Sequence, residues 1–183
     1  IYTVSFDANG GAGGQSAQVV ATYDAAMPAI SAVAPTREGY RFGGWYDTTG
    51  ASAGTQYYTA DGALARTWNK AANTTLYARW IADLSWTNEG RNGTSDKAKF
   101  PDSVFNVSGD DLACSVAAPE PGYRKGYDFA GWAVYEVDGT TLRDDNGGMF
   151  YQVGSTIPVK GSSSIQAQWN VVTHTSKPAA GIY

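Results

Sequence analysis

A single cysteine, Cys114, in 183 residues excludes an internal disulfide and a cysteine-built zinc site. Histidine is equally scarce. His174, the one copy, lies among Thr, Ser, Lys, Pro, Ala and Gly near the end of the chain. Ser-His-Asp chemistry needs an imidazole held between a nucleophile and a carboxylate, and nothing around His174 would hold it. No apolar run approaches the ~20 residues that span a bilayer, so no membrane insertion is expected within this stretch. Nor does a charged segment precede an apolar one, as a leader peptide would require. Lys and Arg are scattered singly through a chain of net charge −4. The electrostatic footprint of a nucleic-acid partner is therefore absent. Helix signals are weak throughout; the best are short stretches at 24–32, 61–70 and 111–117.

What the chain has in quantity is aromatic residues and glycine: 6 Trp, 12 Tyr, 6 Phe and 22 Gly. They are organised as a repeat. Gly-Tyr-Arg-Phe-Gly-Gly-Trp at 39–45 returns as Gly-Tyr-Asp-Phe-Ala-Gly-Trp at 126–132. Each copy closes on a strand-like run ending in Trp, at 75–80 and 164–169. The offset between copies is 80 residues at the opening strands, 87 at the motif and 89 at the closing Trp. Two tandem modules follow, 1–81 and 82–170, with 171–183 a linker or the start of the next segment. The extra residues of the second copy fall in polar, turn-rich stretches at 91–105 and 138–148, where loops tolerate growth. Only Ile81, Ala82 and Asp83 separate the two copies, too few for a flexible linker. A chain that opens directly on a strand reads as a piece of a longer protein.

Each module should be mainly β (α+β at most), a small mixed sheet with little helix. Tyr2, Val4 and Phe6 alternate with Ile1, Thr3 and Ser5, and Leu76, Ala78 and Trp80 alternate with Thr75, Tyr77 and Arg79, the period of half-buried strands. Phe42 and Trp45 are three apart, which would put them on opposite faces of a regular strand. Gly43 and Gly44, like Gly131 in the second copy, permit a bulge that turns both rings inward; the alternative is a two-sided strand. The expected core is Phe6, Phe42, Trp45, Leu76 and Trp80 in the first module, with Trp86, Phe129, Trp132 and Trp169 in the second.

Three sets of residues resemble a known family: Tyr-Thr-Val-Ser-Phe-Asp-Ala-Asn-Gly-Gly at 2–11, Pro-Thr-Arg-Glu-Gly-Tyr at 35–40 and Thr-Thr-Leu-Tyr-Ala-Arg-Trp at 74–80. Together they resemble the Listeria/Bacteroides repeat, the B-repeat of internalin-type bacterial surface proteins. The second copy resembles a divergent member, with Trp86 in place of Phe6 and no Asn-Gly-Gly turn. The resemblance implies β-grasp-like modules strung in tandem on secreted or cell-wall proteins, an extracellular location, and a stalk or adhesion role without catalytic residues. A host surface protein or glycan, and neighbouring repeats of the same chain, are the partners it implies. An accessory carbohydrate-binding segment of a larger secreted hydrolase is the alternative.

Binding would have to rest on aromatics outside the repeat core: Tyr57, Tyr58 and Trp68 in the first module, Tyr135, Phe150 and Tyr151 in the second. Such rings stack on sugars or anchor protein partners when exposed, and pack under loops when not. Tyr57 and Tyr58 are adjacent in an extended run, so one of them is expected to face solvent. No cofactor or metal is expected. The Asp-Asp-Asn-Gly-Gly run at 144–148, and Asp7 with Asn9, are better read as turns than as calcium ligands. An intramolecular isopeptide bond would need Lys70 or Lys160 pointing inward.

Overall fold

The computed structural model describes residues 1–49, 54–91, 93, 98–106, 114–143 and 147–173. Twelve strands and no helix are found among them. The first half contributes β1 (Tyr2–Asp7), β2 (Ala12–Gly13), β3 (Val19–Ala21), β4 (Pro35–Thr36), β5 (Arg41–Tyr46) and β6 (Gln56–Tyr58). β7 (Thr74–Thr87) follows, then β8 (Ser103–Asn106), β9 (Ser115–Ala117), β10 (Tyr127–Tyr135), β11 (Thr156–Pro158) and β12 (Ser163–Val171). Eight of the twelve form one mixed sheet, and β2 with β4 and β9 with β11 form two small ribbons.

The expected short helices are not there. Pro28 lacks the N–H that a helix interior requires, and Asp24 sits at φ 58°. Residues 24–26 instead bond across to 67–68, with Asp24 N donating to Trp68 O at 2.8 Å and Trp68 N to Ala25 O at 2.9 Å. The stretch 61–70 is likewise spent on pairing, through Ala65 N to Tyr57 O at 2.9 Å and a bridge between Leu64 and Tyr58. Residues 115–117 are β9, and 111–113 lie outside the described residues.

β7 is the centre of the molecule, and it erases the expected gap between copies. Its 14 residues run without interruption through Ile81, Ala82 and Asp83. At its start β7 pairs in parallel with β1, Leu76 opposite Phe6; at its end it pairs in parallel with β12, Trp86 opposite Ile165. Its first half thus closes one module while its second half opens the next. The flanking strands repeat in step: β3 runs antiparallel to β1 as β8 does to β7, and β5 is antiparallel to β7 as β10 is to β12.

Period-two alternation is preserved across the whole strand, so one face of β7 carries both cores in succession. Leu76, Ala78 and Trp80 belong to the first apolar cluster; Ala82, Leu84 and Trp86 belong to the second. Tyr40 packs against both clusters. Within them Trp45, Leu76, Trp80 and Trp132 are buried, while Phe6, Phe42, Trp86, Phe129 and Trp169 pack against the clusters partly buried.

Of the two readings of the Phe-x-x-Trp spacing, the bulge is the one realised. Phe42 lies opposite Trp80 but Trp45 opposite Ala78, and Phe129 lies opposite Trp169 but Trp132 opposite Ala167. One residue is thus looped out of the ladder in each copy. The two rings meet on one side, with centroids 5.4 Å apart in both modules. Gly44 and Gly131 take the φ of 108° and 133° that the bulge imposes, a region side chains rarely occupy. A glutamine from the next segment caps the freed carbonyl: Gln56 Nε2 donates to Gly43 O at 3.2 Å, and Gln152 Nε2 to Ala130 O at 2.9 Å.

Candidate functional site

The aromatics outside the repeat motif divide by burial. Tyr57, Tyr58 and Trp68 have no exposed surface, so none of them can serve as a ligand platform. Tyr57 packs on Trp68 with ring centroids 5.0 Å apart and donates to Asn69 Oδ1. Tyr58 packs on Phe6 and donates to Pro28 O at 2.8 Å. Adjacent residues do point to opposite faces, but both faces of β6 are covered, one by the sheet core and the other by the segment carrying Trp68. In the second module Tyr151 is buried, Tyr135 is half-buried, and Phe150 is 37% exposed.

Two of the buried groups set an alkaline limit on the fold. Burial pushes the Tyr58 hydroxyl up to about 12 and the Cys114 thiol up to about 11, the latter partly opposed by Arg37. Both are acids whose folded value lies above the unfolded one. Their stabilising contribution is complete below the unfolded values and is lost as pH rises through the folded ones. Unfolding midpoints are therefore expected to hold up to about pH 9 and to fall between about pH 9 and pH 12. A flat midpoint across that window in denaturant titrations would contradict the burial of these groups.

The polar residues singled out for chemistry are engaged in structure. Asp7 Oδ1 accepts from Asn9 N at 2.8 Å, closing a turn. Lys70 pairs with Asp47 at 2.8 Å, and Lys160 is exposed, so neither is an inward-pointing lysine in an apolar interior. Asp138 accepts from Thr140 N and Thr141 N at 2.8 Å each, which holds its carboxyl down to about 2. His174, Asp144, Asp145, Asp110 and Asp111 lie outside the described residues.

What the two copies share beyond the aromatic core is a latch that the sequence alignment obscured. Asn9 (φ 49°) donates from Nδ2 to Ala78 O at 3.0 Å and accepts at its carbonyl from Trp80 Nε1 at 2.9 Å. Asn88 (φ 58°) does the same, donating to Ala167 O at 2.7 Å and accepting from Trp169 Nε1 at 2.6 Å. The second copy lacks Asn-Gly-Gly yet keeps the asparagine that matters, one position earlier than a fixed offset of 80 would place it. An arginine completes each latch. Arg37 lies over the Tyr40 ring and donates to Asn9 O; Arg124 lies over the Tyr127 ring and donates to Asn88 Oδ1 at 3.1 Å.

On this common frame the surface residues differ. Beside the first latch, Ala12 pairs with Thr36; beside the second, Arg91 pairs with Tyr123. One residue past each arginine stands Glu38 in the first copy and Lys125 in the second. Asn88, Glu89, Gly90, Arg91, Tyr123, Arg124 and Lys125 line an open depression of about 490 Å³. Tyr123 is 67% exposed, and Arg91 and Lys125 are exposed beside it. Sequence reasoning missed this group, although its signal was present: the Tyr-Arg-Lys-Gly stretch departs from Thr-Arg-Glu-Gly at its first and third positions.

A second concavity, about 550 Å³, lies where the modules meet. Gly39 approaches Gly161 so closely that a Cβ on Gly161 would stand 3.0 Å from Gly39 O. Ser162 N donates to Gly39 O at 2.6 Å, Ser162 Oγ accepts from Asp83 N at 3.0 Å, and Arg41 grips Asp83 through two bonds of 3.1 and 2.9 Å. These contacts lock the first module's turn to the second module's last hairpin.

Fold and surface together define a tandem-repeat β protein whose copies share a strand. The model of the Listeria-Bacteroides repeat domain matches residues 2–79, the stretch of the first copy. The repeat is one of bacterial surface proteins. Two relatives come from Evansella cellulosilytica, one named "Putative Gly-rich membrane protein" and the other "Putative membrane protein". The chain is 30% identical to the first over 136 residues and 28% identical to the second over 142, which is 72% and 75% of its own length. It spans only 13% and 18% of theirs. No solved structure matches the chain.

Proposed function

We propose that this chain is a non-catalytic segment of a bacterial cell-surface or secreted protein, in which two repeats act as a stiff spacer and carry an adhesion surface. The observation that carries the reading is β7. A strand common to both modules leaves no linker to bend, and bending at Asp83 would break the ladders to β8 and β12 together. The Gly39–Gly161 contact and the Arg41–Asp83 pair hold the same junction. Such bracing suits a part that holds distance and orientation.

The residue chemistry supports the non-catalytic side. The Cys114 thiol is buried and far above the range in which a thiolate forms near neutrality. Among the described residues no three His, Cys, Asp or Glu side chains converge as metal ligands would. A panel of ester, peptide and glycoside substrates is expected to give no turnover, and reproducible turnover would overturn this part. Solution scattering is expected to fit a single rigid particle, with one cooperative unfolding transition. Independent module motion or two separate transitions would overturn the spacer reading.

A further inference from the structure

We propose that the depression beside the second latch is a binding site for an acidic saccharide, one bearing carboxylate or sulfate groups; this names the ligand class of the adhesion surface and rests on that reading. The internal repeat supplies the control. Both copies build the same frame, with asparagine at positive φ, a tryptophan Nε1 donating to its carbonyl, and an arginine stacked on tyrosine. Folding therefore does not call for Arg91, Tyr123 or Lys125, because Ala12, Thr36 and Glu38 occupy the same places in the first copy. Yet with Glu89 and the two latch arginines counted, this small area goes from a formal 0 (Arg37, Glu38) to +2 (Glu89, Arg91, Arg124, Lys125) within a chain of net charge −4, and gains an exposed aromatic face.

The chemistry fits a sugar acid on two counts. Tyr123 presents an open ring to the C–H face of a pyranose, the mode in which a ring that is apolar at its body and polar at its tip binds. Arg91 and Lys125 flank it, and a guanidinium offers paired donors to a carboxylate or sulfate. Arg124 is already engaged with Asn88 and Tyr127 and serves the frame.

An acidic peptide fits less well. A strand added to an edge needs free backbone groups, and Arg91 and Tyr123 spend theirs on each other: Arg91 N donates to Tyr123 O at 2.9 Å and Tyr123 N to Arg91 O at 3.2 Å, while Gly122 N donates to Glu89 O at 2.6 Å. The same bonds hold Arg91 and Tyr123 on a fixed ribbon, so the site is formed before the ligand arrives.

The test is isothermal titration of the whole chain with polygalacturonate, heparin, dextran and poly-glutamate at low and near-physiological salt. Saturable binding of polygalacturonate or heparin, weakened by salt and absent for dextran, is expected. Arg91→Ala, Tyr123→Thr and Lys125→Glu together install the residue types of the first copy and should weaken that binding by at least about tenfold, or about 1.4 kcal/mol. The unfolding midpoint should be retained. Should the triple variant not fold, Lys125→Glu alone, at an exposed position, is expected to weaken binding in the same direction. Lack of binding to both polyanions, equal binding to poly-glutamate, or unchanged affinity in a folded variant would overturn the proposal. Scattering from the same samples separates the two readings, because a rigid particle that binds neither polyanion leaves the spacer standing and removes only the ligand.

Discussion

Replacing Trp80 with alanine is expected to lower the unfolding free energy by about 3–5 kcal/mol, the usual cost of emptying a large aromatic site in a core. Trp80 has no exposed surface, packs on Phe42 with centroids 5.7 Å apart, and donates from Nε1 to Ala8 O at 3.1 Å and Asn9 O at 2.9 Å. Alanine removes the ring and its N–H donor, leaving Ala8 O with Gly11 N at 3.0 Å and Asn9 O with Arg37 at 3.4 Å, so a cavity and the loss of the indole hydrogen bonds act together. The position sharpens the consequence. Trp80 lies in β7 opposite both Phe42 and Asn106, on the face that continues into Ala82 and Leu84. Loss of the ring should therefore shift a single transition that includes both modules. Chemical denaturation followed by tryptophan fluorescence and by circular dichroism checks this, and a loss below about 1 kcal/mol would show the ring to be unimportant for packing.

Gly44→Ala is the second large effect, expected to cost about 2–4 kcal/mol from backbone strain and overpacking together. At φ 108° a side chain is disfavoured whatever the space. Here the space is also taken, because an added Cβ would stand 2.5 Å from both Gln56 Nε2 and Tyr58 O. The glutamine can retreat, but only by giving up its bond to the bulge carbonyl Gly43 O. The Tyr58 carbonyl is backbone and cannot. Gly126→Ala is the control: its φ is 82°, and nothing lies within 4 Å of the new Cβ. That variant should cost only about 1–2 kcal/mol, the backbone term alone. Equal losses for the two would show that crowding at the bulge contributes nothing.

Much of the fold was legible because its causes are local. Alternation in Tyr2–Phe6 and Leu76–Trp80 marks strands with one buried face, and each registers as read. The glycine pair between Phe42 and Trp45 permitted a bulge without requiring one; the choice fell to the neighbouring strand, where Trp80 and Ala78 had to meet both rings. The helices at 24–32 and 61–70 failed for the opposite reason. Their residues have partners far along the chain, and those pairings outweigh weak local preference.

The surface was less legible than the core. Tyr57 and Tyr58 looked half-exposed because alternation says which way a side chain points and not what lies there. Trp68 and Pro28 supply that answer from eleven and thirty residues away. Asn88 was hidden by a one-residue shift in offset, which only the hydrogen bonds to Ala167 and Trp169 reveal.

By itself the sequence determined the mainly β class, the inward faces of the strands and the likeness of residues 2–79 to the Listeria-Bacteroides repeat, since periodicity and motif are properties of neighbouring residues. Tertiary structure alone decided that the copies share β7, that four candidate binding aromatics are buried, and that Arg91, Tyr123 and Lys125 line one depression. The physical reason is common to all three: burial and convergence depend on which distant segment covers a face. That is settled only when the ladders on both edges of β7 have formed.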